Sequence, residues 1–170
     1  VDREDAMDNW ASHNAVLRER TNWLNGQRFR ALQYSGPGTD LTIAAGSSLT
    51  AGQVAFTSGN QRFTIAGTFA GSVDGGADTD TIALSGGTAA APVAFTNVTD
   101  VEALAMTGGY ATVSGNAAFG SVDMSNGRLV GLAGSAMSAT QFLVRQGATF
   151  GSAGTVNGNV TVAGILSPGA

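Results

Sequence analysis

The stretch GATFGSAGTVNGNVTVAGILSPG, from Gly147 to Gly169, decides the fold. Its apolar residues (Phe150, Val156, Val160, Val162, Ile165, Leu166) recur in short β-prone bursts separated by Gly, Asn and Ser, and no charged residue follows Arg145. Gly and Thr-Val pairs disfavour a helix, and no apolar stripe of helical period runs through the segment. It reads as very short strands joined by tight turns, each coil continuing into the next. That is the behaviour of a solenoid.

Working outward, the same bursts recur from Asp40 onward, among them Leu41 to Ile43, Arg62 to Ile65, Thr79 to Leu84 and Gln141 to Val144. One ladder of apolar anchors (Ile65, Leu84, Leu104, Met124, Val144, Val162) steps by eighteen to twenty residues. That step fits a parallel β-helix with three short strands per coil. Alternation inside the bursts, Phe63 with Ile65 and Ile82 with Leu84, sends one side chain inward and the next outward. Hairpin signals such as Asn126-Gly127 and Asn157-Gly158 are few, which disfavours a β-sandwich. The fold class is therefore mainly β, a right-handed parallel β-helix of six or seven coils, with a short N-terminal α-helical segment.

Two units are expected. Residues 1–34 form a helical segment that caps the solenoid or ends an upstream region, and residues 35–170 form the coils. Met7, Trp10, Leu17 and Leu24 follow helical spacing up to about Asn25, Asp2 or Asp5 can cap the start, and Asn25-Gly26 is a helix stop. Both tryptophans lie here and dock the helix onto the first coil; the alternative is pairing with another chain or with an upstream domain. Arg28 to Tyr34 fits either a short helix or a first strand. Ser35-Gly36-Pro37-Gly38 is a strong breaker.

Composition narrows the functions. Apolar residues make up 43% of the 170, enough for a continuous core, while only 12% are charged. That is roughly half the usual charged fraction, so the surface is solvated by hydroxyls and amides. Basic residues are all Arg, and a net charge of −4 without a basic stripe argues against nucleic-acid partners. There is no cysteine, which removes disulfides and thiolate metal sites and is compatible with export. No apolar run reaches the roughly eighteen residues of a membrane helix. The chain starts at Val1 without a signal peptide, and so reads as a mature segment or an excised fragment.

The segment GSAGTVNGNVTVAGILSPG (Gly151 to Gly169) resembles the repeats of autotransporter passenger domains, as do SVDGGADTDTIALSGG (Ser72 to Gly87) and TGGYATVSG (Thr107 to Gly115). The resemblance covers roughly Asp40 to Gly169. It implies a right-handed parallel β-helix, and a cell-surface or extracellular location outside a Gram-negative outer membrane. The membrane barrel that the family implies has no counterpart in the sequence, and residues 1–34 match nothing in that family.

Candidate chemistry is sparse. The lone histidine, His13, sits among polar residues and reads as a solvated helix residue rather than a triad member. Gly75 to Ala83, GGADTDTIA, resembles the calcium nonapeptide pattern, with Gly75, Gly76, Asp80 and Ile82 in place but Asp78 where a Gly belongs. Such turns share calcium in tandem and this one has no partner copy, so it reads as an acidic turn before a strand. Asn97-Val98-Thr99 and Asn159-Val160-Thr161 fit the glycosylation acceptor pattern by chance. No catalytic, cofactor-binding or metal residue is assigned, and no cofactor.

The expected function is a non-enzymatic structural or adhesive portion of a surface passenger. Its partners are other copies, through solenoid ends or lateral faces, and a host-surface or glycan ligand. The alternatives are the stalk of a secreted autotransporter enzyme with its catalytic domain elsewhere, and a self-assembling filament subunit.

Overall fold

Short strands with an inward-outward alternation can bury one face each only by stacking, and that is what they do. The structure, a computed structural model, describes residues 27–34 as backbone and residues 40–169 in full. The described part is mainly β, with fourteen strands in one continuous sheet that coils into a solenoid of about seven turns. Every strand pairing is parallel.

Three ladders make the walls. The first stacks β2 (Leu41–Ile43), β4 (Arg62–Ile65) and β6 (Thr81–Leu84). It continues through the C-terminal halves of β7 (Val93–Met106), β9 (Asn116–Met124), β11 (Ala136–Val144) and β13 (Thr155–Val162). The second begins with β1 (Gln27–Tyr34), β3 (Ser48–Phe56), β5 (Thr68–Asp74) and the start of β7. It then runs through β8 (Tyr110–Val113), β10 (Gly127–Gly131), β12 (Ala148–Ser152) and β14 (Ile165–Pro168). The third is built from the remaining parts of β1, β3, β5, β7, β9, β11 and β13. Register shifts such as that between Thr50 and Gln53 mark where one wall bends into the next.

The register corrects the expected anchor ladder at one position. Leu84 pairs with Met106, while Leu104 pairs with Ile82 and Val122. Leu104 therefore belongs to the neighbouring inward column Leu41, Phe63, Ile82, Leu104, Val122, Phe142 and Val160. Successive members of that column stand 22, 19, 22, 18, 20 and 18 residues apart, read from the same pairs. Turns of unequal length shift the anchor without disturbing the stack.

The core is continuous and apolar. Ile65, Leu84, Leu104, Met124 and Val144 are all at most 1% exposed, whereas Val162, the last of the expected ladder, is 39% exposed. Phe rings meet across the core within a coil, Phe63 edge-on to Phe69 at 5.2 Å and Phe142 stacked on Phe150 at 5.1 Å. Such contacts add specificity to area burial.

Arg28 to Tyr34 is strand: β1 joins the sheet beside β3, on the N-terminal side of the Ser35–Gly38 breaker. The sheet thus starts within residues 1–34. The helix expected up to about Asn25 lies outside the described residues. Among the described residues there is no helix, and so none long and apolar enough to cross a membrane.

Candidate functional site

The most polar part of the interior is the corner after β5, where the acidic turn Gly75 to Ala83 leads into β6. Period-two alternation counts Asp80 with Ile82 and Leu84 on the inward side, and Asp80 is 2% exposed. Its Oδ1 accepts the backbone N–H of Gln61 from the coil below, at 2.8 Å. Its own N–H donates to Glu102 Oε2 in the coil above, at 2.7 Å. The neighbouring acids are used the same way. Asp78 Oδ2 accepts the Gly59 N–H, Asp74 Oδ1 the Gly76 N–H, and Asp40 Oδ1 the Arg62 N–H.

Asp40, Asp78 and Asp80 cap a neighbouring coil and Asp74 caps its own turn, each holding a backbone donor that the turn leaves free. They do not converge. Among the described residues no three His, Asp or Glu side chains are placed to hold a metal ion. The chain has no cysteine to add.

Asp80 Oδ2 has no hydrogen-bond partner. Burial pushes the Asp80 carboxyl above the usual carboxylate range; the Gln61 N–H opposes this, and the charges of Glu102, Asp78 and Asp74 reinforce it. The folded state therefore binds a proton more tightly than the unfolded chain. Stability is lowest above the raised value and rises as pH falls toward the ordinary carboxylate value. Asp80→Asn keeps an oxygen for the Gln61 N–H and removes the charge. Its melting temperature at neutral pH should exceed the parent's and vary less between about pH 4 and 7. Added calcium or chelator should move neither midpoint. A lower midpoint in Asp80→Asn at neutral pH, or a rise with calcium in the parent alone, would contradict this account of the corner.

The other sequence candidates are dispersed. Asn97 Oδ1 accepts the Asn116 N–H at 3.0 Å, so that side chain ties two coils together. Asn159 is exposed on the last rung. A shallow groove of about 530 Å³ crosses four coils and is lined by Asn97, Asn116, Met137, Ser138, Thr155 and Asn157 among others; the lining carries no charge. On the outer face Arg145 grips Asp123 through two nitrogens, at 2.8 and 2.9 Å. The guanidinium holds the Asp123 carboxyl below the usual range. Both side chains are about half exposed, so the pair adds little stability. His13 lies outside the described residues.

The sequence comparisons point to the N-terminal part of the chain, the first coils included. Residues 1–64 match the model of the thermophilic metalloprotease (M29) family. Aminopeptidase T of Thermus aquaticus is 51% identical over 43 residues, which are 25% of this chain and 10% of that protein. Aminopeptidase T of Thermus thermophilus is 46% identical over 43 residues, with the same coverage. The chain thus spans about a tenth of the length of the curated relatives it matches. No solved structure matches.

These matches overturn the passenger-domain resemblance and, with it, the non-enzymatic adhesin or stalk, the secreted-autotransporter alternative and the filament subunit. The physical reason is plain. Gly bends, Thr-Val bursts and uncharged polar faces are what any stacked β-solenoid requires, so they report the fold and carry no family. The matching family is a metallopeptidase family, and the similarity lies in the first 64 residues rather than in the repeats that suggested a passenger.

Proposed function

We propose that this chain works as part of a metal-dependent aminopeptidase, with the peptidase contribution in residues 1–64 and the later coils as a non-catalytic extension. The observation that carries the reading is the M29 match over those residues, supported by the two aminopeptidases T. The substrate class is then a peptide with a free N-terminal α-amino group, and the reaction is hydrolysis of its first peptide bond. In this reading the coils wind right-handed, the sense that connections between parallel strands take almost always, and a helix runs up to about Asn25.

The described residues do not fit the metal of such an enzyme. The matched range contains Asp2, Glu4, Asp5, Asp8, His13, Glu19 and Asp40 as metal-capable side chains. Only Asp40 is among the described residues, and its Oδ1 is engaged by the Arg62 N–H. No catalytic step is therefore assigned to the solenoid.

The test is hydrolysis of an unblocked peptide and of its N-acetylated twin by the intact enzyme of which this chain is a part, each with and without chelator. The expected result is release of the first residue from the unblocked peptide alone, lost with chelator and restored by a divalent metal. Chelator-resistant cleavage, equal cleavage of the acetylated peptide, or no cleavage would refute the proposal.

A further inference from the structure

Where the first wall of the coil bends into the second, three successive coils place a glycine at positive φ: Gly109 at +81°, Gly127 at +87° and Gly147 at +97°. Gly127 also sits tightly on the corner below, since a Cβ built on it would lie 2.6 Å from the Gly108 carbonyl carbon and oxygen. Glycine alone meets both demands. The residue before it is under neither, and it varies: Gly108, Asn126 and Gln146.

Asn126 is exposed, and the Gly127 N–H donates to its Oδ1 at 2.7 Å. The backbone nitrogen that follows the asparagine is thus held against that asparagine's own side-chain amide. Glycine carries no side chain to obstruct an approach of the nitrogen to Cγ. Ser125 and Asn126 lie between β9 and β10, outside the ladder pairs, and water reaches them. A nucleophile in contact with its electrophile, with water at hand, is what imide formation and hydrolysis require.

A second Asn-Gly pair provides the contrast. Asn157 and Gly158 lie inside β13, with Asn157 in register beside Ser138. The Gly158 backbone is wedged at φ +142° against the Ala139 carbonyl oxygen.

We propose that Asn126 is a site of spontaneous deamidation through an imide with Gly127, and that its isoaspartyl product loosens the corner. The Gly127 nitrogen gives up its proton and bonds to Asn126 Cγ. The bond from Cγ to the side-chain nitrogen breaks, and ammonia leaves with that proton. Water then opens the ring. Attack at the side-chain carbonyl gives aspartate; attack at the main-chain carbonyl gives isoaspartate, whose backbone runs through Cβ and Cγ. The longer link enters just before Gly127, where the close approach to Gly108 leaves it no room. The inference stands apart from the peptidase reading, and either can fail alone.

The intact protein is aged at mildly alkaline pH, either folded or in urea, then digested in acid and mapped by mass spectrometry. In the folded protein Asn126 should deamidate about tenfold faster than Asn157, the advantage of a reacting pair already in contact. In urea the two should convert alike, since each is then Asn-Gly in a free chain. Fragmentation should find isoaspartate as well as aspartate at Asn126. Ageing should also lower the parent's melting midpoint and leave that of Asn126→Gln in place, because glutamine must close a larger ring. The next coil already carries Gln146 before Gly147, so the variant suits the corner. Asn126 surviving in the folded protein while converting in urea would overturn the proposal, as would equal rates at the two sites when folded. A parent midpoint unmoved by conversion would overturn the loosening of the corner.

Discussion

Leu104→Asp is expected to unfold the middle of the solenoid. Leu104 is 1% exposed and packs in register between Ile82 and Val122. An aspartate there either buries an unpaired charge or drags two coils open to hydrate it, at a cost of about 4 kcal/mol or more. Domain stabilities are about 5–15 kcal/mol. The loss should therefore appear as a collapsed melting transition, or as proteolysis within the central coils while the outer ones persist, since stacked repeats can open locally. Leu104→Met, which preserves volume and polarity, should melt close to the parent. An Asp variant melting within a few degrees of the parent would mean that this column does not form the core.

Gly71→Ala should be a severely damaging conservative change within the described coils. Gly71 sits at a bend between two walls with φ +151°, and a Cβ built there would lie 1.9 Å from the Ala51 carbonyl oxygen of the coil below. The obstacle is backbone, so no rotamer change can relieve it. Strain and overpacking together should cost about 3 kcal/mol, or roughly 10 °C in melting temperature. Gly158 occupies a comparable bend, φ +142° and 1.8 Å from the Ala139 carbonyl oxygen, but the same change there should cost less. It lies on the last rung, which can fray without opening the stack. Equal midpoints for Gly71→Ala and the parent would show that the coils are spaced more loosely than the structure has them.

The solenoid was legible because its requirements are periodic and local. Alternation in Phe63-Thr64-Ile65 and Ile82-Ala83-Leu84 fixed which side chains turn inward, and all four anchors are buried. Register was less legible. Leu104 and Met106 lie on the same face two residues apart, so spacing alone cannot say which pairs with Leu84 when turn lengths vary; the pairing chooses Met106. Arg28 to Tyr34 was undecidable locally, because strand identity there comes from pairing with β3 rather than from its own pattern.

The acidic corner shows a missed signal. The alternation that placed Ile82 and Leu84 inside also counts back to Asp80, and from Phe63 to Gln61, both 2% exposed. The same residues that resemble a calcium turn place a buried carboxylate where it caps the coil below. The family was illegible from the repeats for a different reason. Solenoid physics dictates their composition, leaving little sequence to record descent; of the first 64 residues, which carry the metallopeptidase similarity, 1–34 resembled nothing placed from residues alone and those from Asp40 were read as passenger coils.

The stacked register on which every residue assignment depends can be measured along the axis. Thr64 and Thr161 stand in one column of outward positions, linked by the pairs Thr64↔Ala83, Ala83↔Ala105, Ala105↔Asp123, Asp123↔Leu143 and Leu143↔Thr161. Five steps of roughly 4.8 Å put their backbones about 24 Å apart. The chain has no cysteine of its own, so Thr64→Cys with Thr161→Cys gives two clean spin-label sites. Double electron–electron resonance, with the labelled protein diluted in unlabelled chain, should return one narrow distribution near that separation, widened only by the label arms. A broad distribution, or a maximum beyond about 40 Å where five stacked rungs cannot reach, would contradict the parallel stack.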